Sequence, residues 1–182
     1  MKSLGLFVSM ILLATASSPA QTTAASTATV KYPVIKMHVS QHITGNCWTT
    51  SIASTRSDAF RCMAGNSIED PCFELNKTTV ACPTDPFKNN GIVMQLDKPL
   101  PPAQSPGPPQ AFAMLLQSGA KCNRATGTVV ADYPYYCSGE TSVCQGPDLS
   151  KKQAAYYVKC GTPKDAMHVD NVSSVAVKTI YE

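Results

Sequence analysis

The chain has 182 residues and a formal net charge of +3, and it contains only one tryptophan. Its basic residues are scattered, and only Lys151 and Lys152 are adjacent. A nucleic-acid-binding protein normally concentrates its lysines and arginines on one face. The composition therefore does not favour nucleic acid as a partner.

The first twenty residues have the layout of a secretory signal peptide. Lys2 gives a positive start, residues 4–14 form an apolar run, and residues 15–20 are mostly small residues at which a signal peptidase can cut. The apolar run is too short to span a bilayer, which requires about 20 residues. We therefore predict that residues 1–20 are a cleaved signal peptide, that the mature protein is secreted or periplasmic, and that no membrane attachment remains after cleavage.

Eight cysteines follow this segment, and an even number of cysteines in an exported chain is typical of a disulfide framework. A zinc site is not supported, because no Cys-x2-Cys pair occurs and no histidine stands at a ligand spacing from a cysteine. We expect four disulfides and neither a metal nor another cofactor, and the spacing alone leaves the connectivity open. The cysteines are Cys47, Cys62, Cys72, Cys82, Cys122, Cys137, Cys144 and Cys160.

The mature chain begins with a segment of low complexity. Residues 21–29 are almost all Thr, Ala and Ser, and we predict that they form a disordered leader. Residues 30–39 then indicate a strand interrupted at Pro33. Trp48, Thr50 and Ile52 alternate with the period of a half-buried strand.

Residues 57–63 carry the best helical signal in the chain. Ser57 can cap a helix and Asp58 suits its first turn. Gly65 and Asn66 would end the helix after one or two turns. We therefore predict one short helix at this position.

Further short strands are separated by turn signals rich in Gly, Asn and Ser, and this pattern indicates a sandwich or a barrel. Residues 99–109 contain six prolines and cannot form a helix or a central strand. We interpret them as a loop and not as an interdomain linker, because the flanking pieces have too few predicted strands to stand alone. The expected fold is mostly β, a small disulfide-stapled sandwich or barrel with one short helix, formed by residues 30–182 as a single domain. The remaining strands are predicted at residues 78–82, 92–96, 112–116, 128–131, 154–160 and 174–181.

Residues 41–51 give the sharpest suggestion of catalysis. They resemble the nucleophile region of papain-like cysteine proteases, with Gln41 six residues before Cys47 and Trp48 directly after it. The resemblance implies Cys47 as the thiolate nucleophile, Gln41 as an oxyanion-hole donor and His168 as the base.

Three observations oppose this protease interpretation. A free Cys47 would leave an odd number of cysteines. Asn171 is too close to His168 to match the orienting asparagine of the family, and Thr44 stands where the family has a second cysteine. We therefore expect Cys47 to be half of a disulfide, Trp48 to lie in the core, and no catalytic residue to be present.

The segment from Arg56 to Phe73 resembles a family of uncharacterised secreted bacterial proteins. The family signature is Arg-x-Asp-Ala-aromatic-Arg-Cys-Met-x-Gly-Asn-x-Ile-x-Asp-Pro-Cys-Phe, and the likeness continues through residues 80–83, the Pro-rich segment and the final Val-x-Val stretch at residues 175–177. The resemblance implies a bacterial, exported protein and carries no assigned activity. Within the signature we expect Asp58 to pair with Arg61 or to cap the short helix, and Arg56 to brace a neighbouring loop.

The resemblance also bears on the disulfides. The family pattern lacks counterparts of Cys144 and Cys160, which implies that these two pair with each other. Pairing of cysteines that are close in the sequence then suggests the disulfides Cys62–Cys72 and Cys122–Cys137. The two cysteines left over would form the disulfide Cys47–Cys82. Residues 135–139 are in addition loosely similar to the Tyr-x-Cys-x-Gly region of bacterial lysozyme inhibitors, which are small exported β barrels.

The expected function is that of a secreted, non-enzymatic binding module that presents loops from a rigid scaffold. Its partner would be an extracellular protein or glycan, and the most concrete form of this function is inhibition of a hydrolase. We expect the protein to be a monomer. The alternatives are the cysteine protease using Cys47 and His168, and a structural protein of the cell envelope. Asn76 and Asn171 each begin a glycosylation acceptor pattern, whose use depends on the host.

Overall fold

Two closed β-sheets make up the computed structural model, which describes residues 25–103, 105–138 and 142–182. The mostly β fold expected from the sequence is thereby confirmed, in the form of barrels. None of the helices in the described ranges is long and apolar enough to cross a bilayer. The elements are β1 (Ala28–Val30), a 3-10 turn (Val34–Lys36), β2 (His38–Thr50), β3 (Ala59–Ala64), β4 (Ser67–Asn76), β5 (Thr79–Asp85), β6 (Asn90–Leu96), β7 (Ala113–Leu116), β8 (Lys121–Arg124), β9 (Tyr135–Cys137), β10 (Ser142–Cys144), β11 (Tyr157–Pro163) and β12 (Val169–Tyr181).

The first barrel is a five-stranded meander, β2 to β6. Each strand pairs antiparallel with the next, and β2 closes the barrel by pairing with β6. Because the chain reverses at every turn, the first and fifth strands run in the same direction, and the closing pair is parallel. The interior is filled by Phe60, Val80 and Met94 together with buried cysteines.

The second barrel contains β7 to β12, and the antiparallel pairing of β12 with β7 closes it. Its core includes Met114, Tyr135 and Ile180, all buried. The Tyr135 hydroxyl donates a hydrogen bond to the carbonyl of Ala111 at 2.6 Å, which satisfies its polar end inside the core. Strands β8, β9 and β10 have only three or four residues each, and no strand is predicted at these positions from the sequence. The strand predicted at residues 128–131 is instead a single bridge between Val130 and Tyr133.

The predicted disordered leader is wrong for its last residues. Strand β1 pairs in parallel with the end of β12. Just before it, the Thr27 hydroxyl donates to the carbonyl of Val177 at 2.6 Å and accepts from the backbone N–H of Tyr156 at 2.9 Å. The predicted signal peptide at residues 1–20, and leader residues 21–24, lie outside the described residues.

The predicted helix at residues 57–63 is also wrong, because β3 occupies most of that segment. Phe60 and Cys62 point into the first barrel, whereas Met63 is exposed, so the side chains alternate as in a half-buried strand. Gly65 has a φ of 57° and forms the two-residue turn of the β3–β4 hairpin with Asn66. Pairing with β2 and β4 on both sides outweighs the local capping signal at Ser57.

Each disulfide joins a cysteine to the next cysteine along the chain, and the two lie on adjacent strands. The expected bonds Cys62–Cys72 and Cys47–Cys82 are wrong, because Cys62 faces Cys47 across β2–β3, whereas the residue opposite Cys62 on β4 is Glu69. No cysteine is left free, and four disulfides fit a protein of an oxidising compartment. The bonds are Cys47–Cys62, Cys72–Cys82, Cys122–Cys137 and Cys144–Cys160.

An aromatic cluster packs the two barrels against each other. Tyr32, Phe73 and Phe112 lie with their ring centroids 5.6 to 6.1 Å apart, and Phe73 comes from the first barrel whereas Phe112 leads into the second. The Pro-rich segment connects β6 to β7, so it joins the two barrels. The expectation of a loop within one domain is wrong, because the chain on each side of the segment closes a sheet of its own. The segment is held against the first barrel where Thr55 donates to the carbonyl of Pro108 at 2.8 Å.

Candidate functional site

The residues of the suggested protease site do not come together. Cys47 is bonded to Cys62, so it has no thiol to act as a nucleophile. Gln41 lies on β2 of the first barrel. His168 precedes β12 of the second barrel, is exposed, and has its Nδ1 2.9 Å from both carboxylate oxygens of Asp165. The protease interpretation of these residues is therefore wrong.

The only tryptophan lies on the surface and not in the core as expected. Trp48 is 47% exposed, and it stands at a bulge where β2 shifts register against β3. On the outside of the same barrel, Met63 of β3 lies directly opposite Ile68 of β4, and these side chains are 45% and 47% exposed. Trp48, Arg61, Met63 and Ile68 form a single outer surface of strands β2 to β4, which we call the Trp48 face.

Arg61 connects the Trp48 face to the second barrel. Its guanidinium carbon lies 5.7 Å from the centre of the Trp48 ring, within the range of a cation–π contact. One terminal nitrogen donates to the carbonyl of Thr126 at 2.8 Å, and the other is 3.9 Å from the Asp70 carboxylate. The Arg61 side chain is largely buried, so it packs against the Trp48 ring and contributes little charge to the surface.

Asp70 is a buried carboxylate that fixes the chain leaving β2. It accepts hydrogen bonds from the Ser51 hydroxyl and from the backbone N–H of Ile52. Burial raises the pKa of Asp70, and the Ser51 and backbone hydrogen bonds and the charge of Arg61 oppose that rise without cancelling it. The Ser51 hydroxyl oxygen also accepts from the N–H groups of Ala53 and Ser54, so this network holds the loop that follows Trp48 in one conformation.

A cavity of about 620 Å³ lies on the second barrel, between the β7–β8 turn and strands β11 and β12. Hydroxyl and amide side chains surround it, and none of the described residues lining it carries a charge. Cys160 and Gly161 form part of its wall. The main polar lining residues are Ser118, Ser138, Ser142, Thr162, Asn171 and Ser173.

Both glycosylation acceptor asparagines are exposed. Asn76 ends β4, and its side-chain oxygen accepts from the N–H of Thr78 at 3.0 Å. Asn171 lies on β12 beside the cavity and has a φ of 55°. A glycan on Asn171 would therefore stand at the cavity mouth.

The Trp48 face was not predicted from the sequence because its residues were assigned to different parts of the fold. Trp48 was expected in the core and Met63 in a helix. The signal that points to the face is the alternation of Phe60 and Cys62 with Arg61 and Met63, which is typical of a strand with one side outside.

The chain was compared with models of protein families, with curated proteins and with solved structures. No family model, curated protein or solved structure matches it. The geometry of the described residues therefore carries the functional argument by itself.

Proposed function

We propose that this protein is a secreted or periplasmic binding module that catalyses no reaction and holds an extracellular protein partner through the Trp48 face. The observation that carries the proposal is the exposure of the single tryptophan beside two exposed aliphatic side chains on a rigid sheet. Isolated apolar residues on a surface are ordinary, but a group of them on one rigid surface is typical of an interaction site.

The composition of the face supports a protein as the partner. Trp and Met are enriched in protein interfaces, and Trp most often contributes a large share of the binding free energy. Met63 and Ile68 provide neither a flat ring nor a hydrogen-bonding group, so they suit an apolar protein surface better than the hydroxyl groups of a glycan.

Rigidity is the second argument. The strands carrying the face are joined by the Cys47–Cys62 disulfide, and Asp70 anchors the loop after Trp48. A surface that is ordered before binding loses little conformational entropy when the complex forms. This arrangement suits an inhibitor of an extracellular hydrolase, which is the most specific form of the proposal.

The test is affinity capture from the extracellular fluid of the natural host, with three immobilised proteins. We expect wild type and Tyr157→Ala to retain the same partner, because Tyr157 is exposed on the second barrel away from the face. Trp48→Ala should weaken binding about tenfold or more. Met63→Asp, which leaves Trp48 in place, should weaken binding as well. Equal capture by wild type, Trp48→Ala and Met63→Asp would refute the proposed face.

The two other functions have their own outcomes in the same set of experiments. A structural envelope protein should return only itself or cell-wall material. A glycan-binding protein should show a change in Trp48 fluorescence when soluble cell-wall oligosaccharides are added, and the signal is unambiguous because the chain has one tryptophan and glycans have none.

A further inference from the structure

The four cysteines of the second barrel form a continuous row of sulfur atoms across β8 to β11. One disulfide joins Cys122 to Cys137 and the other joins Cys144 to Cys160. Between the two bonds, the Sγ atoms of Cys137 and Cys144 are only 3.3 Å apart. The sulfurs of Cys122, Cys137 and Cys144 all lie within 4.8 Å of one another, and the described part of the first barrel contains no comparable group.

The register of the sheet explains this contact. Cys137 lies opposite Ser142 and Cys144 lies opposite Tyr135, so the two cysteines are diagonal neighbours on the paired strands β9 and β10. Diagonal neighbours on one side of a sheet are within reach of each other's side chains. Each disulfide is therefore held against the other by the strand pairing itself.

One end of the row borders a cavity. Cys160 is 7% exposed and forms part of the wall of the 620 Å³ cavity, whereas Cys122, at the other end, is completely buried. A cavity of this size admits a small molecule. No charged side chain among the described lining residues would repel an incoming thiolate.

We propose that the two disulfides of the second barrel undergo a stoichiometric thiol–disulfide exchange, in which an attack on Cys160 is passed along the row to Cys122. A low-molecular-weight thiolate entering the cavity attacks Cys160 Sγ and forms a mixed disulfide with it. The Cys144–Cys160 bond breaks, and Cys144 leaves as a thiolate. The Cys144 thiolate then attacks Cys137 Sγ at 3.3 Å. The Cys122–Cys137 bond breaks, a Cys137–Cys144 bond forms, and Cys122 leaves as a thiolate.

The electrons balance at every step. Each attack exchanges one S–S bond for another, so the total number of S–S bonds stays constant. The number held by the barrel falls only when a second external thiolate attacks the external sulfur of the mixed disulfide and Cys160 leaves as a thiolate. That last step releases the oxidised form of the external thiol and leaves Cys160 and Cys122 as the two reduced cysteines. The barrel would then contain one disulfide, Cys137–Cys144, joining β9 to β10.

The test uses the folded wild-type protein and reduced glutathione as the probe. The reaction is stopped with acid, the protein is unfolded, free thiols are alkylated at low pH, and the peptides are mapped by mass spectrometry. Without glutathione we expect the four native bonds and no alkylated cysteine. With glutathione we expect loss of the Cys122–Cys137 peptide, appearance of a Cys137–Cys144 peptide and alkylated Cys122. Cys160 should carry glutathione early in the reaction and be alkylated after the second attack.

A double variant, with Cys122→Ser and Cys137→Ser, supplies the matched control. It lacks the second bond, so the thiol released by glutathione should remain on Cys144. In the wild type, a thiol found on Cys144 alone, with Cys122–Cys137 intact, would overturn the proposal. First reaction of glutathione at a disulfide of the first barrel would overturn it as well. The wild-type measurement decides the question even where the double variant does not fold.

Discussion

Arg56 is the residue whose removal should most clearly loosen the contact between the two barrels. Its guanidinium makes a two-point ion pair with Asp58, at 2.5 and 2.8 Å, and lies 4.1 Å above the ring of Phe73. Its other terminal nitrogen donates to the carbonyls of Tyr32 and Glu182, each at 3.4 Å. One side chain therefore holds the start of β3, the chain before β2 and the C-terminal residue together.

The magnitude follows from these contacts. The ion pair is discounted because the Asp58 side chain is 40% exposed, and it contributes about 1 kcal/mol. The position over Phe73 contributes about 1 kcal/mol, and the two long hydrogen bonds together contribute about 1 kcal/mol more. We expect Arg56→Ala to lower the free energy of unfolding by about 3 kcal/mol, which corresponds to a fall in Tm of about 6–12 °C for a chain of this size.

The measurement is urea unfolding of wild type and variant, followed by circular dichroism with the disulfides intact. Arg124→Ala is the control, because the Arg124 guanidinium carbon lies 5.7 Å from the Tyr135 ring centre and has no ion pair among the described residues. We expect this control to lose about 1 kcal/mol or less. A loss below 1 kcal/mol for Arg56→Ala would show that Arg56 does not couple the barrels.

The pH dependence gives an independent check on the ion pair. Burial pushes the pKa of Asp58 upward, but the hydrogen bonds and charge of Arg56 outweigh it, so the pKa is lowered. A lowered carboxylate pKa stabilises the folded state above the unfolded-state pKa of about 3.9, and the stabilisation is lost as the pH falls through the folded-state pKa. The difference between wild type and Arg56→Ala should therefore be constant near pH 6 and shrink below about pH 4. A difference that does not change with pH would exclude the ion pair as its source.

Two further predictions concern the first barrel. Asp70 has a raised pKa because of burial, so the folded state binds its proton more tightly than the unfolded state does. Wild type should therefore lose stability relative to Asp70→Asn as the pH rises from about 4 towards 7, and unfolding curves that stay parallel over this range would contradict the assignment. A Cβ added at Gly45 would collide with the carbonyl oxygen of Met63, so Gly45→Ala should lower the free energy of unfolding by about 1–3 kcal/mol. The control Gly127→Ala meets nothing within 4 Å and should change it by less than about 0.5 kcal/mol, so equal losses in the two variants would refute the steric argument.

The cysteine pairing shows where sequence reasoning reached its limit. The even number of cysteines and their separation by turn signals are local facts, and they predicted a disulfide-stapled β fold that the structure confirms. The partner of Cys62 depends on which residue faces it across β2 and β4, and that register involves residues far apart in the chain. Spacing alone therefore could not separate Cys47 from Cys72 as its partner.

The same limit explains the error in the segment that became β3. Ser57 and Asp58 carry a helix-capping signal, and an interpretation based on neighbouring residues alone therefore predicts a helix there. In the folded chain Asp58 instead pairs with Arg56, and Arg61 turns towards Asp70 and not towards Asp58 as expected. The Arg56–Asp58 pair is local, whereas the partner of Arg61 lies on β4, which the local pattern at residues 57–63 does not contain.

The sequence by itself determined the β class and the presence of four disulfides, because these depend on residue type and on spacing over a few positions. Only the tertiary structure decided that the chain closes into two barrels, that Trp48 is on the surface, and that the sulfurs of Cys137 and Cys144 are in contact. Each of these depends on strand order and register, which are determined by contacts between residues distant in the sequence.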